Sequence, residues 1–126
     1  MRNPNAKHIN FDFMKGIIPD NYLWLASNID MCCERKGQFL FAEWKRIYEE
    51  IPVGQEKLLK ALSLNPNCHV FIIDGYSDET GTEVNRVTRW YKRKKVVQGN
   101  SVEDLKRILV DFYKYADKLS VVPDKV

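Results

Sequence analysis

Two runs of alternating residues, at positions 28–35 and 38–46, flank the dipeptide Lys36-Gly37. Successive side chains of a strand point to opposite faces, so alternation of this kind is typical of strands with one buried face. A two-residue connection that contains glycine favours a tight β-hairpin. The sequence therefore predicts a hairpin here, and no other local feature restricts the fold as strongly.

The predicted hairpin determines which residues oppose each other. If the turn has two residues, Asp30 falls directly opposite Glu43, and both side chains emerge on one face of the sheet. Lys45 follows Glu43 on that same face. Opposed carboxylates destabilise a sheet by a few tenths to about 1 kcal/mol unless a positive charge lies between them. A longer turn would shift the register and separate the pair.

Two interpretations account for the opposed carboxylates. One is an ion cluster on the protein surface, in which Lys45 neutralises the pair. The other is a site for Mg²⁺, which binds carboxylate oxygens while it keeps several waters and open positions for a phosphate. Cys32, Phe39 and Phe41 share the face of the pair, and carboxylates on such a semi-apolar face favour the metal site.

A helix is predicted over residues 52–64. Pro52 suits its first turn, where a missing N–H is tolerated, and the breaker at 65–67 ends it. Its apolar stripe consists of Leu58, Leu59 and Leu62. Gln55 lies on the same face of this helix. A polar side chain near the helix N-terminus is thus directed towards the end of the strand that carries Lys45.

The second half of the chain predicts further strands and a helix. Residues 70–73 indicate a strand buried on both faces, and the order strand, helix, strand implies a right-handed parallel crossover. Residues 74–83 predict a polar loop, and residues 84–97 predict one long strand. Asp74, at the end of the buried strand, is predicted to form a turn, with a role in supporting the site residues as the alternative. Ser101 caps the last helix. The apolar stripe of that helix is Val102, Leu105, Leu109, Phe112, Ala116 and Leu119.

These elements predict an α/β fold, with a mixed central sheet flanked by helices, in a single domain spanning residues 1–126. A chain of 126 residues can bury a core without disulfides, and its three cysteines, an odd number, indicate no disulfide framework. No apolar run approaches the roughly 18–20 residues that a membrane helix needs. The N-terminus shows no secretory signal, so we expect a protein of the cytosol without a membrane partner.

Residues 86–95 read RVTRWYKRKK and are rich in basic and aromatic side chains. Phosphate backbones favour such a stripe, and aromatic rings can stack on exposed bases. The alternation of a strand would place Trp90, Lys92 and Lys94 on one face and Lys95 on the other. The alternative is a solvated edge strand that its lysines protect from aggregation. The predicted nucleic-acid-binding residues are Arg86, Arg89, Trp90, Lys92, Arg93, Lys94 and Lys95.

One pattern joins the predicted hairpin to the predicted helix. It runs from Asp30 over twelve residues to Glu43-Trp44-Lys45, and then to Gln55. This pattern resembles the PD-(D/E)XK nuclease superfamily, and the stretches FLFAEWKR and GQEKLL are similar to its phage, archaeal-resolvase and VRR-type branch. The resemblance implies a restriction-endonuclease-like fold.

The resemblance also implies a role for each residue of the pattern. Asp30 and Glu43 would bind Mg²⁺, for which Mn²⁺ can substitute, with the backbone carbonyl of Trp44 as a third ligand. Lys45 would position or activate the attacking water and stabilise charge on the phosphate. Gln55 would orient that water or a phosphate oxygen. The metal would lower the pKa of the water and neutralise charge that develops on the phosphate.

The chain departs from the superfamily pattern at two places. Ile29 stands where the name of the superfamily has proline, and the acidic residue often supplied by a first helix has only Asp12 and Asp20 as candidates. The number of metal ions, one or two, therefore stays open.

The resemblance implies a Mg²⁺-dependent deoxyribonuclease, an endonuclease that is structure-specific or resolvase-like. Its substrate would be DNA that is branched or partly single-stranded, and a homodimer would suit such an enzyme. An alternative is a non-catalytic nucleic-acid-binding or partner-inhibiting protein of phage type that uses residues 86–95. A purely structural interaction domain is the third interpretation.

Overall fold

The computed structural model describes residues 9–119. The prediction that the N-terminus carries no secretory signal falls partly on residues outside this range. A single 3-10 turn at Asp12–Met14 precedes the main elements. These are β1 (Met31–Arg35), β2 (Gln38–Lys45), α1 (Val53–Ser63), β3 (Cys68–Asp78), β4 (Gly81–Tyr91), β5 (Lys94–Gly99) and α2 (Val102–Leu119). Within residues 9–119, no helix has the length and apolar character needed to cross a membrane.

The strands form one mixed sheet in the order β1-β2-β3-β4-β5. β2 and β3 run parallel, with α1 as the connection between them, and the other neighbouring strands are antiparallel. The predictions of an α/β fold with a mixed sheet flanked by helices, and of a parallel crossover, are therefore confirmed.

The hairpin of β1 and β2 is the predicted one. Lys36 and Gly37 adopt φ angles of 49° and 84°. Positive φ at both central residues is the backbone conformation whose twist matches that of the flanking strands. The register follows, since Arg35 pairs with Gln38 at the turn and the ladder continues to the far end of β1.

The two faces of the sheet bury two separate cores. The core on the α2 side contains Leu40, Ala42, Phe71, Ile73, Val84, Val87, Leu105, Ile108 and Phe112. The core on the α1 side contains Leu59, Val70, Ile72 and Trp90. Alternate residues of β3 enter both cores, so the prediction that residues 70–73 are buried on both faces is confirmed.

The predicted loop at residues 74–83 is wrong, because β3 continues to Asp78 and β4 begins at Gly81. The outer end of this hairpin is exposed, and polar contacts such as that between Ser77 Oγ and Thr82 Oγ1 (2.7 Å) join its strands. Gly75 lies at a shift in the strand register, where an added Cβ would come within 2.1 Å of the Glu83 carbonyl oxygen. An exposed polar hairpin lacks the apolar alternation by which strands are recognised.

The single strand predicted for residues 84–97 is also wrong. β4 ends at Tyr91, the chain reverses at Lys92 and Arg93, with φ of 49° and 70°, and β5 returns antiparallel. Glycine and asparagine are the residues that usually signal such a turn, and this turn contains neither. The turn is therefore not apparent from composition.

The reversal changes which face of the sheet the last residues of the basic segment, residues 86–95, lie on. Lys95 pairs with Trp90, and Lys94 pairs with Tyr91. Directly paired residues share a face, so Lys95 lies on the face of Trp90 and Lys94 lies on the opposite face. Lys94 and Lys95 each lie on the face opposite to the predicted one.

Helix α2 begins as predicted. The backbone N–H of Asp104 donates to Ser101 Oγ (3.1 Å), and the Asp104 carboxylate accepts from the N–H of Asn100 (2.9 Å), which satisfies two donors at the helix start. Its buried stripe differs in part from the predicted one. Ile108 is buried although the prediction omits it, and Leu119 is 51% exposed.

His69 is buried on the α2 side of β3. Its Nδ1 accepts from Nη2 of Arg89 (3.1 Å), so Nε2 carries the proton and donates to Oε1 of Gln38 (3.1 Å). Burial in the first place, and then the nearby Arg89 guanidinium, lower the pKa of His69 to about 4. The imidazole is therefore neutral at neutral pH.

This shift predicts a specific dependence of stability on pH. The pKa of His69 is about 4 in the folded state and about 6.5 in an unfolded chain, so between these values the unfolded state binds the proton more tightly. The free energy of unfolding should fall as the pH falls through this window, by at most about 3 kcal/mol from His69, with no further loss from it below pH 4.

Urea unfolding of the wild type and of His69→Gln across this pH range measures the effect. The variant cannot take up the proton, so its stability should fall less steeply than that of the wild type. Parallel pH dependences of the two proteins, or an NMR titration midpoint for His69 near 6.5, would contradict the assignment.

Candidate active site

Asp30 and Glu43 meet at the open end of the first hairpin. The ladder of β1 and β2 pairs Met31 with Ala42, so Asp30 and Glu43 form the next opposed positions. The N–H of Asp30 donates to Oε1 of Glu43 (3.2 Å), and the N–H of Trp44 donates to Oδ2 of Asp30 (2.9 Å). The structure thus brings the two carboxylates together as the two-residue turn predicts.

A cleft of about 570 Å³ opens beside these carboxylates, at the C-terminal end of β2 and the N-terminus of α1. It is lined by every residue of the sequence pattern, namely Asp30, Glu43, Trp44, Lys45 and Gln55. Glu43 is only 8% exposed. The side-chain amide of Gln55 donates to the carbonyl oxygen of Asn28 (2.6 Å), which fixes the segment leading into β1.

Lys45 does not form the predicted ion cluster with Asp30 and Glu43. Within residues 9–119 its ion pair is with Asp74, at 2.8 Å between Nζ and Oδ1. The side chain of Lys45 is 17% exposed, and that of Asp74 is 2% exposed. The ammonium is therefore held at the wall of the cleft by a buried carboxylate.

Asp74 does not form the turn that was its first predicted role; it contacts Lys45 of the site, in agreement with the alternative prediction. It lies within β3 and forms no turn, because the parallel register sets it beside Lys45 and the antiparallel register sets it beside Arg86. Its Oδ2 accepts from Nε (2.9 Å) and Nη2 (2.8 Å) of Arg86. A signal was present in the sequence, since Asp74 continues the alternation of Val70 and Ile72.

The donor set of the cleft suits a hard cation. Mg²⁺ is commonly bound through one or two carboxylates and keeps several waters, and the cleft is lined by Asp30, Glu43 and Trp44, with Glu49 and Glu50 of the following loop also on its wall. No cluster of three or more His, Cys, Asp or Glu side chains able to hold a metal occurs in the described part of the chain. An ion at this cleft would thus be coordinated by two carboxylates, the backbone carbonyl of Trp44 and water.

Among residues 9–119, no acidic residue of a first helix lies at this cleft. The described residues before β1 contain a 3-10 turn and no α-helix. Asp12 forms an exposed ion pair with Lys15 (3.4 Å), and neither Asp12 nor Asp20 lines the cleft.

The side chains of the basic segment lie in four environments. Arg86 belongs to the Asp74 ion network, and Arg89 lies on the α2 side against His69. Trp90 is 8% exposed and packs in the α1-side core, so its predicted role in stacking on bases is not supported by its position. Its Nε1 is buried and has no hydrogen-bond partner in the part of the chain that the structure describes.

The remaining basic residues lie at the tip of the last hairpin. Lys92, Arg93, Lys94 and Lys95 are exposed, although Lys95 also pairs with Glu56 of α1. Arg93 lines a groove of about 310 Å³ together with Lys57 and Lys60 of α1. These two lysines are not among the nucleic-acid-binding residues predicted from the sequence. Their spacing of three residues, which places them on the same side of a helix, is the signal that could have identified them.

The Asp74 network predicts a stability effect. Asp74→Asn keeps the shape of the side chain but removes the charge that Lys45 and Arg86 share, so we expect the free energy of unfolding to fall by about 2–3 kcal/mol. Urea unfolding measures it, with Asp12→Asn as the control because the Asp12 ion pair is exposed. An Asp74→Asn protein that unfolds at the wild-type urea concentration would contradict the role of Asp74.

Comparison of the chain with protein-family models, with curated proteins and with solved structures gives no match in any of the three. A function is therefore proposed from the residues of the cleft and of the groove lined by Lys57, Lys60 and Arg93.

Proposed function

We propose that this chain is a metal-dependent nuclease that hydrolyses phosphodiester bonds in DNA at the cleft of Asp30, Glu43 and Lys45. One observation carries the proposal. Two carboxylates are opposed at the end of a hairpin, and on the same face a buried aspartate holds a lysine. The resemblance to the PD-(D/E)XK superfamily and its restriction-endonuclease-like fold supports the proposal through Asp30, Glu43 and Lys45. The pairing of Lys45 with Asp74 is additional support, since Asp74 is not part of that pattern.

The carboxylates would hold Mg²⁺ or Mn²⁺ together with the Trp44 carbonyl. Such an ion lowers the pKa of bound water and neutralises charge on a phosphate. The physical reason for an ion at this place is the donor set, since Asp30 and Glu43 bring carboxylate oxygens, the ligands that Mg²⁺ and Mn²⁺ prefer, to one end of the hairpin.

Lys45 would act on the phosphate or on the attacking water. Its pairing with buried Asp74 limits the positions of the ammonium, which leaves less conformational freedom to lose when a substrate binds. Asp74 is thus a positioning residue. Gln55 donates to the Asn28 carbonyl through Nε2, and within residues 9–119 its Oε1 accepts no hydrogen bond, so this oxygen can accept one from water.

The exposed cations supply a second contact for DNA. Lys57 and Lys60 belong to α1, which begins at the cleft, and Arg93 lines a groove together with them. Lys45 pairs with Asp74 and Trp90 pairs with Val70, so roughly 13 Å along β3 separates the cleft from the start of the basic hairpin tip. A DNA strand that enters the cleft can therefore contact these side chains through its phosphates, and such binding weakens with salt. Action on branched DNA by a homodimer is the form of this proposal that the resemblance favours.

Cleavage assays test the proposal directly. End-labelled single strands, linear duplexes and four-way junctions are incubated with the protein in Mg²⁺, in Mn²⁺ and in chelator. We expect cleavage in either metal and none in chelator, and a loss of about 100-fold or more in Asp30→Asn and Glu43→Gln because each removes a charged metal ligand. Glu79→Gln, at an exposed turn away from the cleft, should cleave like the wild type.

Cleavage that persists in chelator or in Glu43→Gln would contradict the metal mechanism. Binding of DNA without cleavage of any substrate would favour the second candidate, a non-catalytic nucleic-acid-binding protein. The exposed cations Lys57, Lys60, Lys92 and Arg93 are the observation that supports this candidate. Its binding should weaken in Lys60→Gln and Arg93→Gln and should be unaffected by Glu43→Gln.

A further inference from the structure

A second cavity, of about 430 Å³, lies between α2 and strands β3 to β5. This volume falls within the range of small-molecule sites. The cavity is on the α2 side of the sheet, whereas Lys45 and Asp74 of the first cleft are on the α1 side with Ile72 and Val70. The side chains that give it chemical character are His69, Arg89, Tyr91, Arg107, Asp111 and Tyr115.

Arg89 carries a positive charge in this cavity that no carboxylate of residues 9–119 pairs with. Within residues 9–119 it forms no ion pair, and its Nη2 donates to the neutral imidazole of His69. Its Nε is buried and has no hydrogen-bond partner among the described residues. A partly buried guanidinium without an anionic partner is unfavourable, and an anion bound in the cavity would relieve this cost.

The opposite wall is formed by one side of α2. Arg107, Asp111 and Tyr115 follow each other at intervals of four residues, so they line the cavity one above the other. Arg107 adds a second guanidinium, 55% exposed, whose Nη2 pairs with Asp104 (3.4 Å) and donates to the Gln98 carbonyl oxygen (3.3 Å), so its other N–H groups face the cavity solvent. Asp111 forms no ion pair within the described residues. The cavity therefore offers two cationic donors and, one helical turn away, one carboxylate acceptor.

Aromatic rings complete the walls. The Arg89 guanidinium lies 5.2 Å from the centroid of the Tyr91 ring, and the Tyr115 ring lies 5.4 Å from the His69 ring in an edge arrangement. Tyr91 and Tyr115 are half exposed, so both have ring surface that a ligand can cover. Flat apolar faces of this kind bind planar rings by stacking.

We propose that this cavity binds a planar heterocycle that bears an anionic group, the chemistry of a nucleoside monophosphate. Arg89 and Arg107 bind the phosphate, since guanidinium groups match phosphate oxygens in geometry and charge. The tyrosines cover the ring, and Asp111 accepts hydrogen bonds from its N–H groups. This site is separate from the cleft of the proposed nuclease and does not depend on it.

Binding of guanosine monophosphate to the full chain tests the site. Titrations are followed by calorimetry and by amide NMR shifts, in chelator, so that metal binding at the first cleft does not contribute. Arg107→Gln should weaken the Kd by about tenfold or more through loss of a charge-assisted hydrogen bond. Lys106→Gln removes one positive charge from the neighbouring, exposed position of the same helix and should leave the Kd unchanged.

Arg89→Gln should weaken binding as well, and the exposed Arg107 keeps the test valid if the more buried Arg89 variant fails to fold. Guanosine and inorganic phosphate, tested alone, should each bind at least tenfold more weakly than the nucleotide. No binding of the nucleotide at millimolar concentration, or equal binding by Arg107→Gln, would overturn the proposal. Phosphate or guanosine that binds as tightly as the nucleotide would overturn it too, because either result reduces the site to a simple anion or ring contact.

Discussion

The parallel pairing of β2 with β3 is the interaction on which the rest of the structure depends. Both strands are central, and β3 is buried on both faces, so helices must cover the sheet on both sides. Parallel pairing also requires a crossover, and α1 provides it. Because α1 starts where β2 ends, its N-terminal Gln55 comes to the same cleft as Glu43 and Lys45.

The same pairing produces the electrostatics of the candidate active site. Residues that are neighbours in a parallel register share a level of the sheet, and this sets the ammonium of Lys45 beside the buried carboxylate of Asp74. Lys45 is engaged by Asp74 and, within residues 9–119, forms no ion pair with Asp30 or Glu43. The surface ion cluster that we considered from the sequence is replaced by two adjacent features, an ion network and a pair of opposed carboxylates.

The sequence predicted the parts of the fold whose signals are local, and missed those set by distant strands. Gly37 identified the first hairpin and thereby the Asp30–Glu43 register. The Lys92-Arg93 turn has positive φ without glycine, so the last hairpin was predicted as one strand. Asp74 was assigned to a loop because its two cationic partners belong to other strands, and only the assembled sheet brings them to it. Trp90 looked accessible for the same reason, since its burial depends on α1.

The most direct test of the central claim is the binding of Mn²⁺ at the opposed carboxylates. In an amide NMR spectrum, a paramagnetic ion broadens the signals of residues close to it, so substoichiometric Mn²⁺ should selectively broaden Asp30, Trp44 and Lys45 in the wild type. Glu43→Gln should abolish this broadening, while Glu79→Gln should retain it. Mn²⁺ that broadens no signals at the cleft, or that broadens them equally in Glu43→Gln, would contradict the account.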